Sequence, residues 1–155
     1  HKSRGKSLDK AESQEFSYIQ DIAREQRHAD LPRYVILSDF DRVALYDPFF
    51  HPDPAVLRRS YHFIVCTEVV EHFHAPAQEF DRLDRLLAPG GWLAIMTCFQ
   101  TEDARFAAWH YRRDPTHVVF YREHTLRTIA AQRRWACEIP ARDVALLHKP
   151  GPSSV

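Results

Sequence analysis

YHFIVCTEVVEHFHAPAQEFDRLDRLLAPGGWLAIMTCF, residues 61–99, is the stretch whose reading decides the fold. Phe63, Ile64, Val65 and Cys66 make a short, partly β-branched apolar run, which predicts a buried strand rather than a helix. Pro76 opens the next segment, where the first helical turn tolerates a missing N–H, and Phe80, Leu83, Leu86 and Leu87 recur at helical spacing. Pro89, Gly90 and Gly91 stop that helix, and Trp92 to Phe99 is a second apolar run of strand length. Strand, helix, turn, strand is the right-handed unit of a parallel sheet. Ligands of such sheets bind at the carboxyl ends of the strands, and Glu68, Glu71 and His72 fall at such an end.

Outward from this unit, the composition sets bounds. A chain of 155 residues with 45% hydrophobic content suits one domain with a buried core. Lys plus Arg balances Asp plus Glu at 21 each, so overall charge argues for neither nucleic acid nor a membrane surface as partner. Cys66, Cys98 and Cys137 are odd in number, lack CxxC spacing, and two sit inside apolar strand candidates, which predicts buried thiols in a reducing, cytoplasmic setting. The sequence contains neither an apolar run of membrane-spanning length nor a signal-peptide pattern, and it begins at His1, as a piece of a longer chain would.

Upstream, Asp9 and Glu12 form a capping pair for a helix whose apolar face is Phe16, Ile19, Ile22 and Ala23, ending near Arg27. Tyr34–Leu37 and Val43–Tyr46 follow as a hairpin or neighbouring strands, with Asp39 and Asp41 as turn formers. Residues 47–54, rich in proline, predict a loop, and residues 55–59 one helical turn. Downstream, residues 102–109 have weak helical character, and YRRDP, residues 111–115, reads as a charged loop. Residues 123–134 predict a helix with Leu126, Ile129 and Ala130 on one face. Residues 135–139 and 144–147 predict two antiparallel strands at a sheet edge, before a tail.

Glu68, Glu71 and His72 lie three and four residues apart, so they share a face if the strand turns into helix near Thr67. Two carboxylates and an imidazole so placed can bind a divalent ion or serve as acid and base. The plainer alternative is a solvated helix start, with acidic groups favoured by the helix dipole.

The string from Tyr61 to Phe99 resembles the later half of a class I S-adenosylmethionine-dependent methyltransferase, and the resemblance continues through HYRRDPTHVVFYREHTL, residues 110–126, to about Pro150. It implies an α/β fold, a partial Rossmann-like three-layer sandwich with a mostly parallel sheet. Similar small-RNA 2′-O-methyltransferases and ubiquinone-pathway O-methyltransferases hold a divalent metal through an ExxEH element and a later histidine. By position this implies Glu68, Glu71, His72 and His117 as metal ligands, with Glu71 and His72 the catalytic pair. The acidic residue ending the second strand of such enzymes binds the cofactor ribose, which implies Asp47, with Glu68, as S-adenosylmethionine contacts. For His117 a loop histidine held by local backbone, and for Asp47 a turn carboxylate before Pro48, remain the alternatives.

The same family carries a glycine-rich turn after its first strand, because only glycine lets backbone approach the cofactor closely. Here the glycines are Gly5, Gly90, Gly91 and Gly151, so that turn is absent. His62 stands where these families usually carry aspartate, and Arg134 where a helix-ending glycine is usual. Residues 1–47 are instead similar to the nuclease-like portion of combined restriction and modification enzymes, with Lys2 in the place of its ExK lysine and Gln14 and Tyr18 matching a QxxxY helix signature.

The expected division is a nuclease-like amino-terminal fragment over 1–45, a methyltransferase-like half over 46–150 and a tail over 151–155. Three functions stay open: methyl transfer from S-adenosylmethionine to a hydroxyl of a small-molecule or nucleic-acid acceptor, assisted by a divalent metal; a silent DNA-associated remnant using Lys2, Arg4, Lys6 and Lys10 on phosphates; and a metal-binding interaction domain. No membrane partner is expected.

Overall fold

A computed structural model describes residues 35–39, 42–47 and 52–152. Expectations for the helix over 9–27, and for Lys2, Arg4, Lys6, Lys10, Gln14 and Tyr18, lie outside the described residues. Within them the strands are β1 (Val35–Ser38), β2 (Val43–Tyr46), β3 (Tyr61–Thr67), β4 (Leu87–Met96), β5 (Ala136–Ala141) and β6 (Val144–His148). The longer helices are α1 (Pro76–Leu86) and α3 (Glu123–Gln132), with the short α2 (Asp103–Phe106) between them. The strands form one sheet in the order β2-β1-β3-β4-β6-β5.

The central unit forms as the spacing predicts. Pro76 occupies the first turn of α1, and Phe80, Leu83 and Leu86 are its buried face. The helix ends at Leu87, which is already extended, because Ala88 precedes Pro89 and is itself biased away from helical backbone. The Pro-Gly-Gly element therefore lies inside β4 rather than before it. β4 pairs parallel to β3, from Phe63 opposite Trp92 to Thr67 opposite Met96, with an irregularity between Tyr61 and Phe63. Gly91 fits there because a Cβ would meet the carbonyl oxygens of Ala88 at 2.8 Å and His62 at 3.0 Å.

The expectation of a mostly parallel sheet is corrected. The β3–β4 pair alone is parallel among the described strands; β1 pairs antiparallel with both β2 and β3, β4 with β6, and β6 with β5. A doubly wound sheet places a parallel strand beside the one that β3 represents, leaving into a glycine turn. Here that place is taken by β1, which runs the other way and begins at the edge where β3 ends. At the paired ends of the two four-residue strands Asp39 Oδ1 accepts the Arg42 N–H at 2.8 Å, so a hairpin replaces a crossover.

The core gathers Leu37, Ile64, Cys66, Leu93, Ile95 and Leu147 from the strands with Phe80 and Leu126 from the helices. Arg133, just past α3, reaches α1: its guanidinium lies 2.6 Å from Asp81 Oδ1 and 5.7 Å from the centre of the Phe80 ring. This ties the two longer helices to the same face of the sheet. The three cysteines are free thiols, and burial pushes the Cys66 thiol up to about 12. No helix of the described residues is long and apolar enough to cross a membrane.

Candidate metal centre

Because β1 is antiparallel to both of its neighbours, β2 and β3 point the same way, and so does β4. Their carboxyl ends share one rim, which carries Asp47, Glu68 and Thr97. Val35 lies opposite both Tyr46 and Cys66, so Asp47 and Thr67 stand level on that rim, about 10 Å apart at two strand spacings. Asp47 is buried there at 2% exposure. Its expected position at a strand end is observed.

Beyond Thr67 the chain leaves the sheet sharply. The Glu68 N–H still follows the parallel ladder, donating to the Met96 carbonyl at 2.9 Å. Its φ of 52° then turns the backbone into the left-handed region, at a cost of about 1–2 kcal/mol for a residue with a Cβ. Val70 plugs the core and opens a single 3-10 turn over Val70–His72, so the condition of a strand turning into helix near Thr67 is met only by this one turn. Tyr121 holds this turn by donating its hydroxyl to the Val70 carbonyl at 3.2 Å. Glu71 is carried down with Val70 and is fully buried.

The second half of the site comes from residues 110–119. A 3-10 turn over His110–Arg113 buries Tyr111 between exposed neighbours. In the DPTH sequence that follows, Asp114 Oδ1 accepts the Thr116 N–H at 2.8 Å, a local turn that Pro115 suits by fixing φ. This turn aims the Thr116 carbonyl at His72 and delivers His117 beside it. His72 Nδ1 lies 2.8 Å from the Thr116 carbonyl oxygen, and His117 Nδ1 lies 2.8 Å from that of Tyr111. A carbonyl only accepts, so each Nδ1 carries the hydrogen, which leaves Nε2 of each ring as the nitrogen that can serve as a metal ligand, the arrangement typical of metal-ligating histidines.

The two imidazoles meet edge to face with centroids 4.7 Å apart. Ligand atoms of Glu71, His72 and His117 all lie within 4.8 Å of one another. Residues distant in sequence, 72 and 117, are thus adjacent. Glu68, the fourth expected ligand, is outside this group. Its Oε2 lies 3.0 Å from the Tyr111 hydroxyl, which also lies 2.6 Å from Glu71 Oε1 and 3.1 Å from Thr97 Oγ1. Burial, then the Glu71 charge, pushes the Glu68 carboxyl up to about 7. Burial and the two carboxylates push the Tyr111 phenol far upward, so it remains a donor.

Chemically, the set fits a divalent cation. Glu71 Oε2 is buried and has no hydrogen-bond partner, an expensive arrangement for a carboxylate unless a cation faces it. One carboxylate and two imidazoles favour manganese, iron, cobalt or zinc over magnesium, which prefers oxygen ligands.

The sequence model of the methyltransferase domain family matches residues 11–137, most of the chain. The chain belongs to the methyltransferase-domain family. The matched span includes β1 to β4, the ligand turn and His117, so the ExxEH and DPTH elements of this methyltransferase lie within it. It also runs through most of residues 1–47, and brings no support for their likeness to a nuclease. Comparisons with curated proteins and with solved structures return no match.

Sequence reasoning missed Tyr111 as the centre of the site, and Thr97 and Asp143 as its frame. Asp143, at φ 65°, accepts the Phe99 N–H on Oδ1 at 2.7 Å, and its carbonyl accepts the Thr97 N–H at 3.0 Å. A buried aromatic between charged residues, in WHYRRDP, was the available signal for Tyr111.

Proposed function

We propose that this methyltransferase transfers a methyl group to a hydroxyl oxygen of its acceptor with the help of a divalent metal held by Glu71, His72 and His117. The observation that carries the reading is the convergence of those three side chains at the rim, with one oxygen of the buried Glu71 carboxylate left without a hydrogen-bond partner. When bound, the ion supplies Lewis acidity that lowers the pKa of an acceptor hydroxyl.

The chain's own residues would do the rest. Glu71 and the two imidazoles hold the ion, and the backbone carbonyls of Thr116 and Tyr111 orient those rings. Glu68, with a carboxyl titrating near 7, sits beside them as a group able to take a proton near neutral pH. The acceptor is a small molecule or a nucleic acid; His110, Arg112 and Arg113 stand exposed on the turn that buries Tyr111, where an acceptor would pass.

The methyl donor implied by the family is S-adenosylmethionine, with Asp47 the candidate ribose contact. The described residues do not fit the usual cradle: β1 enters the rim where a glycine turn would leave it, and Asp47 is buried. That misfit favours a second reading, a metal-binding domain without turnover.

Titration calorimetry of chelator-treated protein separates the two. Binding of both Mn2+ and S-adenosylmethionine, with methyl transfer to a hydroxyl-bearing acceptor lost in His117→Ala, supports the enzyme. Mn2+ binding with no donor binding supports the second reading, and absence of Mn2+ binding ends both.

A further inference from the structure

We infer that Tyr111 is the positioning residue of the metal centre, fixing Glu71 as a one-oxygen ligand through its side chain and His117 through its backbone. The inference rests on the metal reading above and adds a residue that the ExxEH and DPTH elements do not contain as a ligand.

A phenol has one hydrogen to donate. The shortest of the three contacts to Tyr111 Oη, 2.6 Å, is to Glu71 Oε1, so the hydrogen lies there. Thr97 Oγ1, 3.1 Å away and itself buried, then directs its own hydrogen to Tyr111 Oη. This fixes the orientation of Glu71: Oε1 is engaged, and Oε2 is the oxygen left without a partner. The same residue's carbonyl receives the His117 Nδ1 hydrogen at 2.8 Å, and the Tyr111 ring packs 4.1 Å from the His117 ring. Two of the three ligands are therefore aimed by one residue, and Tyr111 Oη also lies 3.0 Å from Glu68 Oε2.

Tyr111→Phe tests this, because it deletes only Oη and keeps both the ring and the backbone carbonyl. Tyr61→Phe is the control: it removes another buried phenol hydroxyl, donated to the Val56 carbonyl at 2.8 Å near the start of β3, away from the rim. Chelator-treated proteins are titrated with Co2+ and followed by the visible absorption band. Tyr111→Phe should bind Co2+ about 10–100-fold more weakly than wild type, the usual cost of losing a contact that supports a ligand. At saturation its spectrum should also differ, because Glu71 can now offer both oxygens; simple loosening of the fold would not produce that signature. Tyr61→Phe should retain wild-type affinity and spectrum.

Wild-type affinity and spectrum in Tyr111→Phe would overturn the inference while leaving the metal centre standing. An equal loss in Tyr61→Phe would overturn it too, by showing a general response to core loosening. If wild type itself binds no Co2+, the metal reading fails first and the inference with it.

Discussion

The carbonyl oxygen of Glu71 accepts two N–H groups, that of Val118 at 2.9 Å and that of Val119 at 3.1 Å. This joins the ligand turn after β3 to the loop that carries His117, independently of any side chain. The distance between the two histidines is thus set by backbone before a ligand arrives, which is the kind of support a precise site needs.

His72→Ala and His117→Ala should each lower Mn2+ affinity by at least about 100-fold, more than a supporting contact usually costs. The double variant should bind hardly worse than either single one, because both remove the same site. Calorimetry on all four proteins checks it; losses that simply add would mean two independent sites.

Glu71→Gln should stabilise the metal-free protein while removing Mn2+ binding. Glu71 is fully buried, one oxygen has no partner, and the nearest ring nitrogen, His72 Nε2, is 3.9 Å from Oε1. Neutralising it should be worth about 1–3 kcal/mol, read by urea unfolding in chelator. A destabilised variant would show that the charge is already compensated.

Glu68 sets a pH dependence whose sign follows from its environment. Its carboxyl is raised from 4.5 to about 7 in the folded protein, so between those values the native state holds more proton than the unfolded chain. Metal-free stability should therefore fall as pH rises from about 4.5 to about 7, then level off. In Glu68→Gln this contribution vanishes, and the stability gap between variant and wild type should widen across that window. Parallel curves for the two proteins would remove Glu68 as the source.

Gly91→Ala should destabilise by about 1–3 kcal/mol, since the new methyl would press on two carbonyl oxygens and cannot be accommodated by a rotamer change. Gly151→Ala, in open space, should change stability by less than about 0.5 kcal/mol. Thermal melts of the pair distinguish a local packing demand from a general glycine effect.

Phe80→Ala should cost about 3–5 kcal/mol. The ring is buried from α1, meets Phe73 and Tyr121 edge to face at 5.9 and 6.2 Å, and lies under the Arg133 guanidinium. A loss near 1 kcal/mol would mean that the helix repacks around the gap.

Particular residues show which parts of this were legible beforehand. Phe63 to Cys66, Pro76 and the leucine spacing after it fix β3, α1 and β4, because period and proline chemistry are local signals. The hairpin of β1 and β2 was legible as two strands. Its direction relative to β3 was not, because a four-residue apolar strand such as Val35–Ser38 reads the same parallel or antiparallel. Glu71, His72 and His117 follow from motif placement, but the left-handed φ of Glu68, which stands outside their group, is anticipated by no spacing rule. Tyr111 was hidden because its burial depends on contacts with Glu71 and Thr97, 40 and 14 residues away in the chain.

The antiparallel entry of β1 has an outcome for how such a domain can change over time. A crossover strand is bound to its helix and to the turn between them, so it is replaced as a block of thirty or so residues. A hairpin asks only for two short apolar runs and a turn, and it docks on β3 through backbone pairing that is indifferent to side-chain identity. The ligand turn and the DPTH loop are knitted to each other and to β4. The hairpin flank is therefore exchangeable without disturbing the metal ligands, and inheritance of the two need not be shared.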